Sequence, residues 1–156
     1  MKENTKYAGL GMAGATHMHK MIEHKLYDGL KKKLSRKHLY VTMETNFNDT
    51  IRSEERIPDI SIWKGIFTKG IDFEYIDPIF SIEVTHTAAN DKESHESIME
   101  CFESYPTMQE SFLFNYANNK WIRYEKLDNG EIEMLETSKS RLFGFYMNTF
   151  VKSLME

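Results

Sequence analysis

The sequence is poor in cysteine and has no long apolar run. Its 156 residues include one cysteine, Cys101, so no disulfide bond can form within the chain. Disulfides are typical of oxidising compartments, and a lone cysteine in a helical, partly apolar pattern is interpreted as a structural thiol. No apolar stretch reaches the ~18 residues of a membrane span, and residues 1–6 lead into no signal-peptide core. We therefore expect a cytoplasmic protein that makes no contact with a membrane.

The sequence also has no excess of positive charge. Its formal net charge is −4, so no overall basic field draws the protein to nucleic acid, and any such contact needs a local patch. The run KKKLSRK at residues 31–37 is a candidate. Cations at the end of a helix are also favoured by the helix dipole, and we prefer that interpretation of the run.

Length and composition predict one globular domain behind a short arm. A chain of 156 residues that is 40% hydrophobic and 13% aromatic is sufficient for a single core. Residues 1–14 include glycines at positions 9, 11 and 14 and show no hydrophobic periodicity. We interpret residues 1–14 as a flexible N-terminal arm and residues 15–156 as the domain.

Hydrophobic periodicity predicts three helices and six strands. Apolar residues recur at every fourth position from Met18 to Leu34, which is typical of an amphipathic helix. The predicted elements are a helix at 16–36, strands at 39–47, 56–63 and 79–84, a helix from Asp91 or Ser94 to about 105, strands at 111–116, 121–126 and 132–135, and a helix at 139–154. A single helix between strands indicates a crossover in a mixed sheet, so we predict an α/β fold with helices packed on the sheet.

Two short alternating stretches each carry one acid. Asp59 lies in IPDISIW at residues 57–63, and Glu83 lies in FSIEVTHT at residues 80–87. If the two strands are neighbours, both carboxylates can project from the same end of the sheet. Mg²⁺ usually takes one or two protein carboxylates and completes its shell with water and substrate phosphate, and the carbonyl of Val84 can supply another oxygen. The pattern therefore predicts a site for Mg²⁺ or Mn²⁺.

These motifs resemble the PD-(D/E)XK nuclease superfamily, which has the restriction-endonuclease-like fold. Pro58-Asp59 on one strand is followed by Glu83-Val84 on the next, within the same order of elements. The strands at 57–62 and 81–85 and the segment YPTMQESFLFN after the second long helix look like the Uma2-type endonucleases. The resemblance covers roughly residues 17–127.

The resemblance implies a fold and an activity. The expected fold is a mixed β-sheet flanked by helices, with the core order αβββαβ and extra C-terminal strands and a helix. The expected activity is hydrolysis of phosphodiester bonds in nucleic acid, with DNA as the favoured substrate, by an enzyme that depends on Mg²⁺ or Mn²⁺. Asp59 and Glu83 would then be catalytic metal ligands. Small nucleases of this fold often pair, which implies a homodimer.

One position departs from the superfamily motif. The motif has a lysine two residues after the second acid, where this chain has Thr85. Uma2-type proteins resemble this chain in lacking a lysine there and place one in the following helix. The nearest candidate here is Lys92, at the entrance of that helix. The alternative function is a catalytically inactive module of the same fold that binds nucleic acid or a protein partner.

Further polar residues are additional candidates. The resemblance implies another acid from the first helix or first strand, which here means Glu23 or Glu44. His19 lies four residues before Glu23 and shares its helix face, but we favour solvated or capping side chains for this pair and a solvated carboxylate for Glu44. His86 and His95 are candidates for proton transfer, although each is better explained as a structural residue.

Overall fold

The computed structural model describes residues 13–43, 58–64 and 78–156. The elements are α1 (Ala13–Lys33), β1 (Leu39–Met43), β2 (Ile60–Lys64), β3 (Pro78–Thr85), α2 (Ala88–Ser104), β4 (Glu110–Asn115), β5 (Lys120–Lys126), β6 (Ile132–Glu136), a 3-10 helix (Met147–Phe150) and α3 (Lys152–Met155). None of the helices in these ranges is long and apolar enough to cross a membrane.

The strands form one six-stranded sheet in the order β1-β2-β3-β4-β5-β6. Strands β3 and β4 are parallel, and all other neighbours are antiparallel. Parallel neighbours cannot be joined by a tight hairpin, so the chain crosses over the sheet through α2. The mixed α/β architecture that the sequence predicted is confirmed.

The helices cover the two faces of this sheet. On one face, α1 packs through Ile22, Leu26 and Leu30 in a cluster that also contains Ile82 and Val84 of β3. On the other face, the apolar residues of α2 pack with those of β4 and β5; this second cluster consists of Ile98, Phe102, Met108, Leu113 and Tyr124. Because side chains alternate along a strand, residues 81, 83 and 85 of β3 point away from the α1 face.

Strand β3 is buried along its whole length, since helices cover both faces of the sheet around it. A buried strand is usually apolar, yet β3 contains Ser81, Glu83 and Thr85. The Ser81 hydroxyl is satisfied by Ser111 of β4, with 2.7 Å between their Oγ atoms. Glu83 is therefore a carboxylate at the centre of the fold and not an outward-facing surface residue.

The predicted C-terminal helix at 139–154 is wrong. Residues 138–146 form a loop with Gly144 at φ +86°, followed by the 3-10 helix and the four-residue α3. The cause is the buried carboxylate of Glu110, which accepts hydrogen bonds from the Ser140 hydroxyl and, at 2.6 Å, from the Arg141 N–H. The Ser140 hydroxyl in turn accepts from the Phe143 N–H at 2.9 Å. The backbone N–H groups of Arg141 and Phe143 therefore bind the Glu110 carboxylate and the Ser140 hydroxyl, and these hydrogen bonds hold the loop against β4.

Other boundaries differ by a few residues. Helix α1 begins at Ala13, so positions 13 and 14 belong to the helix and not to the predicted arm, whose residues 1–12 lie outside the described ranges. Helix α2 begins earlier than predicted because Thr87 is its N-cap, with its hydroxyl accepting from the Asn90 N–H at 3.0 Å. The parts of the first two predicted strands that fall in 44–57 also lie outside the described ranges.

Candidate metal centre

Three metal-ligating side chains converge where α1 passes the start of β2. His19 Nε2 lies 3.3 Å from Asp59 Oδ1 and 3.4 Å from Glu23 Oε2. The three ligand atoms all lie within 4.8 Å of one another. His19 and Glu23 share a helix face because they are four residues apart, and Asp59 reaches them from the residue before β2. We call these three residues the His19 cluster.

Glu23 is the most buried member of the His19 cluster. Its side chain has 0% exposure, and within the described part of the chain neither carboxylate oxygen has a hydrogen-bond partner. Its partners are ionic: His19 Nε2 is 3.4 Å from Oε2, and Lys20 Nζ is 3.4 Å from Oε1. A buried carboxylate without hydrogen bonds is costly unless positive charge lies beside it. Glu23 is therefore buried beside positive charge and is not the solvated side chain expected from the sequence, whereas the His19 side chain keeps 25% of its exposure.

The two carboxylates change the protonation of His19. Its hydrogen bond with Asp59, and next its interaction with Glu23, raise the pKa of His19 from 6.5 to about 10, against the opposing effect of burial. The imidazole is consequently protonated at neutral pH and balances part of the charge of Glu23 and Asp59. The His19 cluster has one nitrogen and two carboxylate ligands, a set suited to a divalent metal ion.

Asp59 also connects the cluster to β3. Its Oδ2 atom accepts a hydrogen bond from the Val84 N–H at 2.7 Å. The antiparallel register pairs Ile60 of β2 with Ile82 of β3, so the next position along each strand places Asp59 opposite Glu83. Neighbouring positions of this kind are typically about 5 Å apart between Cα atoms. Asp59, directly before β2, and Glu83 of β3 therefore lie next to each other at the same end of the sheet.

The Glu83 side chain is directed differently from the His19 cluster. It is 9% exposed, and its Oε2 atom accepts a 3.4 Å hydrogen bond from the hydroxyl of Ser97 on α2. Glu83 is not one of the three residues whose ligand atoms lie within 4.8 Å of one another. The structure brings Asp59 together with Glu23 and His19, and it places Glu83 next to Asp59 in sheet register but facing α2.

No lysine occupies the motif position beside Glu83. Thr85 is 2% exposed, and its hydroxyl has no hydrogen-bond partner in the described ranges. Lys92 is exposed on the first turns of α2 and takes part in none of the ion pairs found among the described residues. Among the described residues, Lys20 of α1 pairs with a carboxylate of the His19 cluster, with its Nζ atom 3.4 Å from Glu23 Oε1; the sequence signal for it is the spacing of three to Glu23.

The remaining candidates from the sequence are His86, His95 and Glu44. The His86 ring packs against Tyr116 with 5.4 Å between ring centroids, at the same end of the sheet as the His19 cluster. His95 Nδ1 lies 2.7 Å from the hydroxyl of Tyr124, whose pKa is raised to about 12 first by burial. Glu44 lies outside the described residues. His86 therefore borders the candidate centre, whereas His95 belongs to the packing between α2 and β5.

Comparisons with known proteins extend the sequence resemblance to the fold. No family model matches the chain, and no curated protein matches its sequence. A crystal structure of a candidate nuclease belonging to DUF820, from Anabaena variabilis ATCC 29413, aligns with 88% of this chain and 82% of its own, at a TM-score of 0.57 and 14% sequence identity. DUF820 is the Uma2 family. At this identity the likeness establishes the fold: the chain has the mixed-sheet, restriction-endonuclease-like architecture that the motifs predicted.

Proposed function

We propose that the protein is a divalent-metal-dependent nuclease that hydrolyses phosphodiester bonds in nucleic acid, with DNA as the favoured substrate. The observation that carries the proposal is the convergence of Asp59 with Glu23 and His19 at the end of the sheet where Asp59 binds the Val84 N–H. The fold shared with the DUF820 candidate nuclease supports the same assignment.

The residues present fit a divalent ion. Glu23 is fully buried with oxygens that make no hydrogen bond in the described ranges, and a metal ion would stabilise such a carboxylate. Asp59 would be a ligand through Oδ1, while the hydrogen bond from Val84 holds its other oxygen. Glu83 and the Val84 carbonyl are proposed as further ligands from β3. A bound divalent ion would polarise a phosphoryl oxygen and lower the pKa of water.

Positive charge near the centre has two proposed sources. Lys20 Nζ lies 3.4 Å from Glu23 and can orient or neutralise groups there as the motif lysine would. Lys92 remains the lysine that sequence resemblance favours, at an exposed position on α2. His86 lies beside Tyr116 at the border of the centre, where it can exchange a proton with substrate or water.

A cleavage assay tests the proposal. Purified protein is incubated with double-stranded DNA, single-stranded DNA and RNA in Mg²⁺, in Mn²⁺ or in EDTA. We expect metal-dependent cleavage that falls by at least ~100-fold in Asp59→Asn, because a metal ligand is lost. Glu133→Gln on the exposed strand β6 is the matched control and should cleave like the wild type. Absence of cleavage in every metal, or equal cleavage by Asp59→Asn, would contradict the proposal.

A non-catalytic module is the second candidate, and Thr85 favours it. This residue is buried at the position of the motif lysine and brings no positive charge to Glu83. The module would bind nucleic acid or a protein partner without changing it. Retention of a labelled oligonucleotide in gel-shift experiments, with the oligonucleotide recovered intact in Mg²⁺ and Mn²⁺, would identify this function. Cleavage in either metal would exclude it.

A homodimer is also proposed. Strand β6 is one of the two edges of the described sheet, and it exposes 48% of Met134 and 51% of Leu135. Exposed apolar side chains on an edge strand favour association with a second strand. Analytical ultracentrifugation should give a dimer for the wild type and a monomer for Leu135→Lys. A monomer at all concentrations would contradict the proposal without affecting the metal centre.

A further inference from the structure

We propose that His19 is a metal ligand that makes the centre select a first-row transition-metal ion over Mg²⁺. The inference rests on the proposed function, since it concerns the ion at the same centre. It names His19, which neither the acidic motif nor the resemblance supplies, as the residue that sets the identity of the metal.

The positions of the ligand atoms support coordination by His19. Its Nε2 atom faces both carboxylates, at 3.3 Å from Asp59 Oδ1 and 3.4 Å from Glu23 Oε2. Ligand atoms bound at ~2.0–2.2 Å around one first-row ion stand roughly 3–3.5 Å apart. The observed separations therefore fall in the range of two edges of a coordination polyhedron. The Glu23 carboxylate is fully buried, and its partners in the described part of the chain are the positive groups of His19 and Lys20, each at 3.4 Å, which is the environment that a buried carboxylate ligand of a cation requires.

The chemistry of the donor set separates the metals. Mg²⁺ prefers hard oxygen ligands in a strict octahedron and keeps much of its water. An imidazole nitrogen suits first-row transition metals, whose affinity rises from Mn²⁺ toward Cu²⁺. Two carboxylates alone would suit Mg²⁺, whereas two carboxylates with an imidazole favour a transition metal. Coordination through Nε2 takes the place of the proton that this nitrogen shares with the carboxylates.

Helix α1 provides a matched control. His17 lies on the same helix, is exposed, and is not among the residues whose ligand atoms meet at the centre. Replacing it removes an imidazole from the same helix while leaving the His19 cluster unchanged. A difference between His19→Gln and His17→Gln therefore reports on the centre and not on the general loss of a surface histidine.

Isothermal titration with Mn²⁺ and with Mg²⁺ alone, without substrate, measures the selectivity. Mn²⁺ is the weakest binder in the first-row series, so it is the most stringent probe. We expect the wild type to bind Mn²⁺ at least ~100-fold more tightly than Mg²⁺, and His19→Gln to lose ~10–100-fold in Mn²⁺ affinity with less than ~3-fold change for Mg²⁺. His17→Gln should match the wild type. Equal affinities in the wild type, or equal changes for both ions in His19→Gln, would identify His19 as a counter-ion and overturn the proposal.

Pulsed electron paramagnetic resonance of the Mn²⁺-loaded wild type gives a test that needs no variant. Coordination by His19 predicts electron spin-echo modulation from a directly bound ¹⁴N nucleus. Its absence would overturn the proposal even if His19→Gln fails to fold. The outcomes also separate the two claims. If Mn²⁺ is bound by nitrogen but no nucleic acid is cleaved, His19 is a metal ligand and the proposed nuclease activity is wrong. If the protein cleaves nucleic acid with a preference for Mg²⁺, the nuclease activity is supported and the proposed role of His19 is wrong.

Discussion

The carboxylate of Asp59 accepts a hydrogen bond from the Val84 N–H at 2.7 Å, which ties the residue before β2 to the residue after Glu83. The other oxygen of Asp59 faces His19, so one side chain connects α1 with the central buried strand. This arrangement fixes the carboxylate from two sides. A carboxylate held in this way is preorganised to bind an ion and does not need to be ordered when the ion arrives.

Replacing Asp59 with Asn should abolish stabilisation by metal. At about 100 times its Kd, a ligand contributes roughly 2.7 kcal/mol, which for a chain of this size corresponds to a rise in Tm of about 5–10 °C. We expect this rise for the wild type in Mn²⁺ and less than ~2 °C for Asp59→Asn, measured by differential scanning fluorimetry. In EDTA the variant should keep the hydrogen bond from the Val84 N–H through its side-chain oxygen but lose the charged contact with His19, so its free energy of unfolding should fall by about 1.5–3 kcal/mol. If Mn²⁺ raises the Tm of Asp59→Asn as much as that of the wild type, Asp59 is not a metal ligand.

Glu83→Gln tests the ligand from β3. If Glu83 joins the metal site, the variant should show a reduced Tm shift in Mn²⁺ and at least ~10-fold slower cleavage. The hydrogen bond from Ser97 can be kept by the Gln oxygen, so the fold should survive, as circular dichroism can verify. Glu133→Gln on the exposed strand β6 controls for the loss of one negative charge. If Glu83→Gln matches this control in both assays, Glu83 is a structural residue.

Replacing Gly29 of α1 with alanine should not stabilise the protein, although this substitution usually stabilises a helix. At an open helix position Gly→Ala stabilises by about 1 kcal/mol. Here an added Cβ would meet the Phe150 ring at 2.1 Å from Cδ1 and 2.8 Å from Cγ. Gly29→Ala should therefore destabilise the protein by about 1–3 kcal/mol in urea unfolding.

The Phe150→Ala background supplies the control for Gly29. In that background the clash is removed, so Gly29→Ala should become neutral or stabilising, giving a coupling energy of more than ~1 kcal/mol. Additive effects of the two changes would show that α1 and the 3-10 helix do not pack as described.

Glu110 should make stability depend on pH. Burial, as the main cause, raises the pKa of Glu110 above 4.5, while the hydrogen bonds from Ser140 and Arg141 partly oppose it. Because the folded pKa is above the unfolded one, the stabilising contribution is complete below pH 4.5 and is lost as pH rises through the folded pKa. The free energy of unfolding, measured by urea titration between pH 4 and 8, should therefore fall as pH rises because Glu110 loses its proton.

Glu110→Gln should remove that decline and lower stability at acidic pH, because Gln keeps one acceptor for the two donors that Glu110 now accepts from. The exposed Glu133→Gln should leave the pH profile of the wild type unchanged. A Glu110→Gln profile with the same decline as the wild type would show that the carboxyl of Glu110 does not titrate in this range.

The sequence predicted those parts of the fold that depend on neighbouring residues. The turn at Asp128-Asn129-Gly130 is an example: Gly130 adopts φ +89°, and the Asn129 side chain binds the Glu131 N–H, so the turn is encoded within four residues. The crossover helix α2 was predictable for the same reason, from its spacing and the following Pro106. The fold class follows from the order of such locally encoded elements.

The C-terminal loop was not predictable in this way. The contact that replaces the expected helix joins Glu110 to Ser140, 30 positions apart. The apolar spacing after Ser138 matches a helix, but the buried carboxylate takes the backbone N–H of Arg141. The apolar spacing of neighbouring residues cannot predict these hydrogen bonds, because it does not show that Glu110 is buried.

The candidate centre was predictable only in part. Asp59 and Glu23 could be selected as acids, but the contact of His19 with Asp59 spans 40 positions. The spacing of four between His19 and Glu23 is equally typical of a solvated helix face. What distinguishes the two is the burial of Glu23 at 0% exposure, which depends on how α1 packs against the sheet.

Anomalous diffraction from a crystal soaked in Mn²⁺ tests the central claim most directly. We predict a peak bound to Asp59 Oδ1 and Glu23 Oε2, at ~2.0–2.2 Å from each oxygen, with further protein ligands from the neighbouring side chains. The same data from Asp59→Asn crystals should lose the peak. A map without a peak at this end of the sheet under saturating Mn²⁺, or with its peak elsewhere, would contradict the assignment of a metal-dependent nuclease centre.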